Sequence, residues 1–171
     1  MGPELDLLVT RYEAGQISRR ELLGALTALL LPIPLPPRAE PEIGLARSLN
    51  HVTMMVPDVA RSQKFYQELF GMPVLTPQPP GVNLRAGSSF LGLYPTAPGE
   101  QGRIDHFCLG LDNFDAEAVQ KKLAARGLDA SIRLRGDTRE LYFDDPDGIR
   151  VQLQDVRYRG GVGPLGDRDP G

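Results

Sequence analysis

The sequence is poor in several features that would point to a particular class of protein. It has one cysteine, Cys108, so no disulfide can form within the chain. Basic residues do not exceed acidic ones: 19 lysines and arginines face 22 aspartates and glutamates, a formal net charge of −3. This balance argues against nucleic acid as a partner. No apolar run is long enough to cross a bilayer, and we therefore expect no membrane span.

Histidine is also scarce, and its two occurrences mark an internal repeat. His51 and His106 each lie in a segment that is typical of a strand, and each strand is followed by a helical stretch that ends at a glycine. Turn signals then separate three further short strands in each copy. The repeat therefore predicts two βαβββ modules, at 48–95 and 103–156.

The predicted elements follow from hydrophobic periodicity and from the positions of turn residues. The predicted strands are 49–56, 73–76, 82–85, 89–94, 104–111, 129–134, 139–144 and 149–155, and the predicted helices are 59–70 and 115–126. The fold class is α+β: the two modules form a curved mixed sheet around a cup, preceded by an N-terminal helical extension.

Residues 1–31 allow two interpretations. Arg19 and Arg20 precede a moderately apolar stretch, a pattern that resembles a twin-arginine export signal. Alternatively, the segment is a helical hairpin whose second helix begins with a capping box of Ser18 and Glu21. The location is accordingly open between the cytoplasm and export.

Two further segments are defined by composition. The proline-rich stretch at 32–47 predicts a linker, because proline cannot continue a helix. The glycine-rich tail at 157–171 is too rich in glycine to predict a packed element. It is either disordered or a lid over the cup.

The alternation of side chains along the strands assigns them to the two faces of the sheet. The apolar set should lie under the helices, because apolar surface leaves water. The mixed set should line the cup, with Phe90 and Tyr94 as substrate-binding side chains. The expected cup residues are His51, Phe90, Tyr94, His106, Tyr142, Arg150 and Gln152.

The same alternation leads to expectations for three further residues. Arg150 either points into the cup, where it would attract an anion, or lies at the rim in a salt bridge. Asp105 has the opposite parity to His106, and we expect a surface or turn contact for it. Cys108 is expected to be a buried core residue, because the sequence offers no group to activate it as a nucleophile.

Four stretches of the two modules carry a family resemblance. They are Leu49-Asn50-His51-Val52, Phe65 to Met72, Ile104-Asp105-His106-Phe107 and Tyr142 to Leu153. On these stretches the chain resembles the vicinal-oxygen-chelate superfamily, which includes glyoxalase I, fosfomycin-resistance enzymes, bleomycin-binding proteins and extradiol dioxygenases. The resemblance covers residues 48–156, which would form the vicinal-oxygen-chelate domain.

The resemblance implies a metal site. The family's ligand positions carry over to His51 and His106 and to Gln152, which stands where a glutamate is usual. A further glutamate of glyoxalase-type enzymes falls at or near Gly92. The set is closest to the dioxygenase arrangement of two histidines and one carboxylate. Tyr142 lies ten residues before Gln152, a spacing similar to that of the acid/base tyrosine of extradiol dioxygenases.

The resemblance therefore implies a divalent-metal-dependent, dioxygenase-like enzyme acting on a small oxygen-rich organic molecule. Iron(II) is the first choice of metal, with manganese, nickel and zinc as alternatives. Because Gln152 brings no charge, an anionic substrate would be favoured at the ion. A glyoxalase-type lyase or isomerase and a metal-free small-molecule binding or resistance protein are the two alternatives. A homodimer is also an open expectation.

Overall fold

The computed structural model describes residues 3–30 and 41–170 of the chain. It divides into two compact units, Met1–Ala39 and Glu40–Gly171. The part of the predicted linker at 32–40 lies outside the described residues. The linker was predicted to extend to residue 47, but the first strand already begins at Ala46. This end of the prediction is wrong, because proline content does not show that 46–47 can pair with a neighbouring strand.

The first unit contains two helices, α1 (Pro3–Glu13) and α2 (Arg19–Leu30). The predicted capping box is present at the start of α2. The backbone N–H of Ser18 donates to Glu21 Oε2 over 2.7 Å, and the N–H of Glu21 donates to Ser18 Oγ over 3.3 Å. Within the described part of the chain, neither these helices nor the later ones are long and apolar enough to cross a membrane.

The second unit contains two βαβββ modules, and the predicted fold class is confirmed. The first module comprises β1 (Ala46–Val56), α3 (Val59–Phe70), β2 (Val74–Gln78), β3 (Gly81–Ala86) and β4 (Ser89–Pro95). The second comprises β5 (Arg103–Leu111), α4 (Ala116–Ala125), β6 (Ala130–Arg135), β7 (Thr138–Asp144) and β8 (Arg150–Asp155). Every predicted strand and helix of this unit is present, within a few residues of its predicted bounds.

One mixed sheet joins the modules, in the order β2-β3-β4-β1-β5-β8-β7-β6. β1 and β5 pair antiparallel at its centre, which places the two histidine strands side by side. Within each module the first and last strands pair in parallel, β1 with β4 and β5 with β8. The edge strands meet across the cup, because Arg135 Nη1 on β6 donates to Gln78 Oε1 on β2 over 2.6 Å.

Two apolar cores lie between the sheet and its helices, as strand alternation predicts. Leu111, Val151 and Leu153 pack with Val119 and Leu123 of α4. Under α3, the core of the first module includes Val56, Val82, Leu84 and Leu93. The helices therefore cover the convex face and leave the polar-lined face open as a cup. Aspartates start both helices: Asp58 accepts from the N–H of Arg61, and Asp115 from that of Ala118.

Candidate functional site

The concave face of the sheet encloses a cavity of about 410 Å³, a volume typical of small-molecule sites. Every residue predicted for the site lines this cavity. These residues are His51, Phe90, Tyr94, His106, Tyr142, Arg150 and Gln152. The repeat therefore brings together side chains that are up to 101 positions apart in the sequence.

The two imidazole rings lie close together at the base of the cavity. Their centroids are 5.6 Å apart and their planes are nearly perpendicular. Both side chains are buried. His51 stacks on Phe90 at 4.3 Å, and His106 meets Tyr142 edge-on at 5.3 Å. These aromatic contacts fix the planes of both rings.

Two β-bulges in the β1–β5 pair decide what lies beside each histidine. The register moves from Leu49–Leu109 directly to His51–Cys108, which leaves Asn50 as the extra residue of β1. In the same strand pair, the register between Thr53 and Met54 shifts so that Asp105 is the extra residue of β5. A bulge lets consecutive side chains share one face. Asp105 therefore lies in the cavity wall with His106, and the predicted surface or turn contact is wrong.

The residue before each histidine binds that histidine's Nδ1. Asn50 Oδ1 lies 2.9 Å from Nδ1 of His51, and Asp105 Oδ2 lies 2.7 Å from Nδ1 of His106. The Asn50 amide is itself oriented, because its Nδ2 donates to the Tyr158 carbonyl over 3.0 Å. Each Nδ1 therefore carries a proton, which leaves Nε2 as the nitrogen with a free lone pair in a neutral ring.

His51 is held in this neutral form. Burial lowers the pKa of His51 to about 3, and the neighbouring His106 adds to the effect. Its Nε2 lies 3.1 Å from Oε1 of Gln152. Two lone pairs thus face each other inside the protein. The conflict is relieved either by a cation between them or by a turn of the Gln152 amide that presents its N–H₂ to the imidazole.

The separation of His51 Nε2 and Gln152 Oε1 is compatible with two ligands of one divalent ion. Two ligands each about 2.1 Å from an ion and at a right angle to one another are about 3 Å apart, close to the His51–Gln152 separation. Within residues 3–30 and 41–170, no three histidine, cysteine or carboxylate side chains converge on a point. The third position of such a set is the amide of Gln152. Asp105 supplies a formal negative charge through its bond to His106.

The fourth-strand ligand position is empty of any side chain. Gly92 lies beside Thr53 in the β1–β4 register, as Gln152 lies beside Cys108 in the second module. A Cβ at Gly92 would lie 3.1–3.2 Å from Tyr94, Asn83 and Thr53, and the space is thus already filled. A glutamate at this position would not fit without displacing its neighbours.

Tyr142 faces the cavity, and its hydroxyl donates to Glu140 Oε2 over 3.0 Å. Burial raises the pKa of Tyr142, and the Glu140 carboxylate raises it further. The phenol is therefore protonated at neutral pH and can give a proton but not take one. Arg150 covers the ring, with Cζ 4.4 Å from its centroid.

Arg150 combines the two roles considered for it in the sequence. It lines the cavity, yet its side chain is 45% exposed and pairs with Asp105 over 3.4 Å. It is a rim residue with its charge directed towards the carboxylate that binds His106. Cys108 is fully buried, and burial raises the pKa of its thiol well above the ordinary value, so the core role is confirmed.

Several residues that complete the cavity were not anticipated from the sequence. Glu140 pairs with Arg135 over 3.0 Å, and Arg135 also donates to the Tyr158 hydroxyl and to the Gly161 carbonyl. Glu140 shares the parity of Tyr142, so strand alternation could have found it. Tyr158 lies in the glycine-rich tail, where no periodicity signals a buried residue.

The C-terminal tail is folded against the cup, and the disordered alternative is wrong for its described part, 157–170. Tyr158 is buried beside His51 and Phe90, with ring centroids 6.0 and 6.2 Å away. The Gly160 carbonyl accepts from Asn83 Nδ2 over 3.0 Å. The tail therefore forms part of the cavity wall, and its glycines permit backbone contacts too close for larger residues.

Comparison with known proteins assigns the family. The model of the Glyoxalase/Bleomycin resistance protein/Dioxygenase superfamily matches residues 48–153, and the chain belongs to this superfamily. The glutathione transferase FosA of Serratia marcescens is 27% identical over 114 residues, which cover 64% of this chain and 81% of that protein.

Solved structures show the same fold. Methylmalonyl-CoA epimerase from Mycobacterium tuberculosis has a TM-score of 0.54 at 16% identity, covering 69% of this chain and 93% of the epimerase. Homoprotocatechuate 2,3-dioxygenase from Arthrobacter globiformis has a TM-score of 0.58 at 20% identity, covering 78% of this chain and 42% of the dioxygenase.

Proposed function

We propose that this protein is a divalent-metal-dependent enzyme that acts on a small oxygen-rich organic molecule, with dioxygenase-like chemistry. The observation that carries the proposal is that both histidines have Nδ1 in a hydrogen bond and Nε2 available to bind an ion. Each Nδ1 is occupied by the preceding residue, and His51 Nε2 lies 3.1 Å from Gln152 Oε1 in a buried cavity. A purely structural histidine does not need its second nitrogen held free beside an oxygen.

His51, His106 and Gln152 would hold the ion, with iron(II) as the first choice and manganese, nickel and zinc as alternatives. When bound, a divalent ion supplies a Lewis acid for two neighbouring substrate oxygens, and iron(II) adds oxygen chemistry. The bond from Asp105 to His106 would orient that ligand and contribute negative charge that Gln152 lacks.

The remaining cavity residues would act on the substrate directly. Tyr142 would be the proton donor, because its hydroxyl stays protonated; it would have to exchange its hydrogen bond to Glu140 for one to the substrate. Phe90 and Tyr94 present apolar surface to the substrate from the opposite side of the cavity. Arg150 contributes positive charge at the rim.

Metal analysis of the purified protein tests the proposal. After anaerobic reconstitution with iron(II) and removal of free ion, the wild type should retain about one ion per chain. His51→Ala and His106→Ala should retain none. Cys108→Ala is the matched control, because it alters a neighbouring buried residue that is not a ligand. Equal retention by all four proteins would rule the site out.

Oxygen uptake with a panel of catechols tests the dioxygenase-like part separately. Two fold relatives are 2,3-dioxygenases by name, the homoprotocatechuate 2,3-dioxygenase and the 2,3-dioxygenase LapB from Pseudomonas sp. KL28. Steady uptake that Tyr142→Phe slows would support the assignment. No uptake across the panel by iron-loaded protein would remove it. A glyoxalase-type lyase or isomerase is less favoured, because Gly92 offers no carboxylate for proton transfer.

The second candidate function is metal-free binding of a small molecule, as in a resistance protein. Gln152 favours it, because its turned amide would donate to His51 Nε2 and satisfy both groups without an ion. Under this alternative, ligand binding by the wild type would be indifferent to a strong chelator. Loss of binding on chelation, restored by added metal, would exclude it.

A further inference from the structure

The charged side chains of the cavity do not balance. Three arginines line it, Arg133, Arg135 and Arg150, against two carboxylates, Asp105 and Glu140. His51 adds no charge, because burial keeps it neutral. The cavity thus carries one more guanidinium than carboxylate, in a space whose walls are partly shielded from water.

The pairing pattern identifies which guanidinium is in excess. Arg135 is paired with Glu140 over 3.0 Å and donates to the Gly161 carbonyl of the tail. Its charge is therefore used within the cavity wall. Arg150 is paired with Asp105 over 3.4 Å and lies over an aromatic ring. For Arg133, no carboxylate of the described residues lies at ion-pair distance, although Glu140 is its cross-strand neighbour. Both oxygens of Glu140 are already engaged, by Arg135 and by the Tyr142 hydroxyl.

Arg133 lies on β6, an edge strand of the sheet, and its side chain is exposed at the cavity. The charge of Arg133 acts on two tyrosine hydroxyls of the cavity. Burial raises the pKa of both Tyr94 and Tyr142, and the Arg133 charge opposes that rise at each hydroxyl. A ligand in the cavity would therefore be exposed to the charge of Arg133.

The lining is also divided between the modules. All three arginines come from the second module. The apolar and aromatic lining comes mainly from the first, namely Met55, Pro79, Pro80, Phe90 and Tyr94. A molecule that fits both walls has an apolar body on one side and an anionic group on the other.

We propose that Arg133 is the residue that recognises the substrate, by binding an anionic group, and that the substrate is a compact organic acid with an apolar body. The proposal rests on the cavity being the substrate site of the proposed function, and it names the substrate class. Arg150, the candidate for this role from the sequence, contributes less because Asp105 already neutralises it.

Binding of benzoate and of benzamide to the chelator-treated full-length protein tests this proposal. The two probes have the same shape and differ in charge, and no metal takes part. A charge-assisted contact favours benzoate by about tenfold or more in Kd. Arg133→Gln should abolish that preference and leave the Kd of benzamide within about twofold. Its fold can be checked by circular dichroism, and the residue is exposed.

Arg139→Gln is the matched control. Arg139 lies on β7, pairs with Glu117 of α4 and does not line the cavity, so the variant loses the same charge elsewhere. It should keep the benzoate preference. Three results would overturn the proposal: no saturable binding of either probe, an unchanged preference in Arg133→Gln, or an equal loss in Arg139→Gln. Because the assay is metal-free, its failure is separate from failure of the metal retention experiment.

Discussion

At the scale of single residues, Gln152 sets how strongly the site would hold a cation. It is almost fully buried, and its amide oxygen faces an uncharged imidazole. A neutral donor set leaves both charges of a divalent ion to be balanced by Asp105 or by the substrate. Under the proposed function, the residue would therefore lower the affinity for the ion and raise the share of binding that an anionic substrate contributes.

The variant Gln152→Glu should tighten metal binding, because it restores a carboxylate beside His51. We expect the Kd for a divalent ion to fall on the order of tenfold or more at neutral pH. Competition with a chelating dye measures it. Gln154→Glu, two residues along β8 and outside the cavity lining, serves as the control. An unchanged or weaker affinity in Gln152→Glu would count against Gln152 as a ligand.

Cys108 gives a prediction for alkaline pH. Its folded pKa is raised above the ordinary value of 9.0, chiefly by burial. The unfolded chain therefore loses the thiol proton at lower pH than the folded chain, so this group's stabilising contribution is complete below about pH 9 and is lost as pH rises further. Urea denaturation at pH 7 and pH 10 should show a lower free energy of unfolding at pH 10. The drop should be smaller in Cys108→Ala.

A thiol reagent provides the independent check on Cys108. Because the chain has one cysteine, any labelling reports this residue alone. We expect native protein to react slowly and urea-unfolded protein to react at once. Equal rates in the two states would show that the thiol is accessible in the fold.

At the scale of elements, the strand pair β1–β5 shows where alternation is reliable and where it fails. Alternation correctly places Phe107 and Leu109 towards the helix and His106 towards the cup. It fails at Asp105, because a bulge adds one residue to β5 and turns the carboxylate to the histidine side. The repeated pair of Asn or Asp before His, at 50–51 and 105–106, is the signal that could have suggested it.

The tail gives a prediction at the same scale. Gly160 has φ +85°, and a Cβ there would lie 2.7 Å from Asn83 Nδ2 and 2.8 Å from Phe90 Cζ. Gly160→Ala should lower the free energy of unfolding by about 1–3 kcal/mol, since the wall must shift to make room. Gly87→Ala is the matched control, because Gly87 has φ +63° with nothing within 4 Å. Urea denaturation should show a larger loss for Gly160→Ala, and equal losses would mean that the tail does not pack as described.

At the scale of the whole molecule, each compact unit has its own contacts. Among residues 3–30 and 41–170, the two apolar cores contain only residues of the second unit, and Glu42 at its start pairs with Arg126 of the same unit. Protein that begins at Glu40 should therefore keep the urea midpoint of the full chain within experimental error. A marked fall in that midpoint would show that residues before 40 stabilise the second unit.

The destination of the protein stays a prediction with two alternatives. The paired Arg19 and Arg20 lie at the start of α2, which suits both a helical hairpin and a twin-arginine signal. N-terminal sequencing of the protein from its native host separates them. A mature chain that begins near residue 40 would indicate export, and an intact N-terminus would indicate the hairpin. The expected homodimer is likewise testable by sedimentation equilibrium.

The sequence alone determined the architecture, because the signals for strands, helices and turns come from short stretches of the chain. Period-2 alternation, the glycines that end the two helical stretches, and the matching histidines of the two copies defined the modules and the face that lines the cup. Alternation and helix ends depend only on near neighbours in the chain, and the repeat is visible when the two copies are compared. They therefore identified His51, His106, Tyr142 and Gln152 as residues that converge.

Only the tertiary structure decided which polar groups satisfy one another. Three features depend on contacts between distant segments. They are the bulge that turns Asp105 to His106, the packing of Tyr158 beside His51, and the charge of Arg133, unpaired among the described residues. Periodicity does not encode a register shift, and composition does not show which carboxylate an arginine will form an ion pair with. Ion pairs and hydrogen bonds are set by distances of a few ångströms in space, and folding alone fixes those distances.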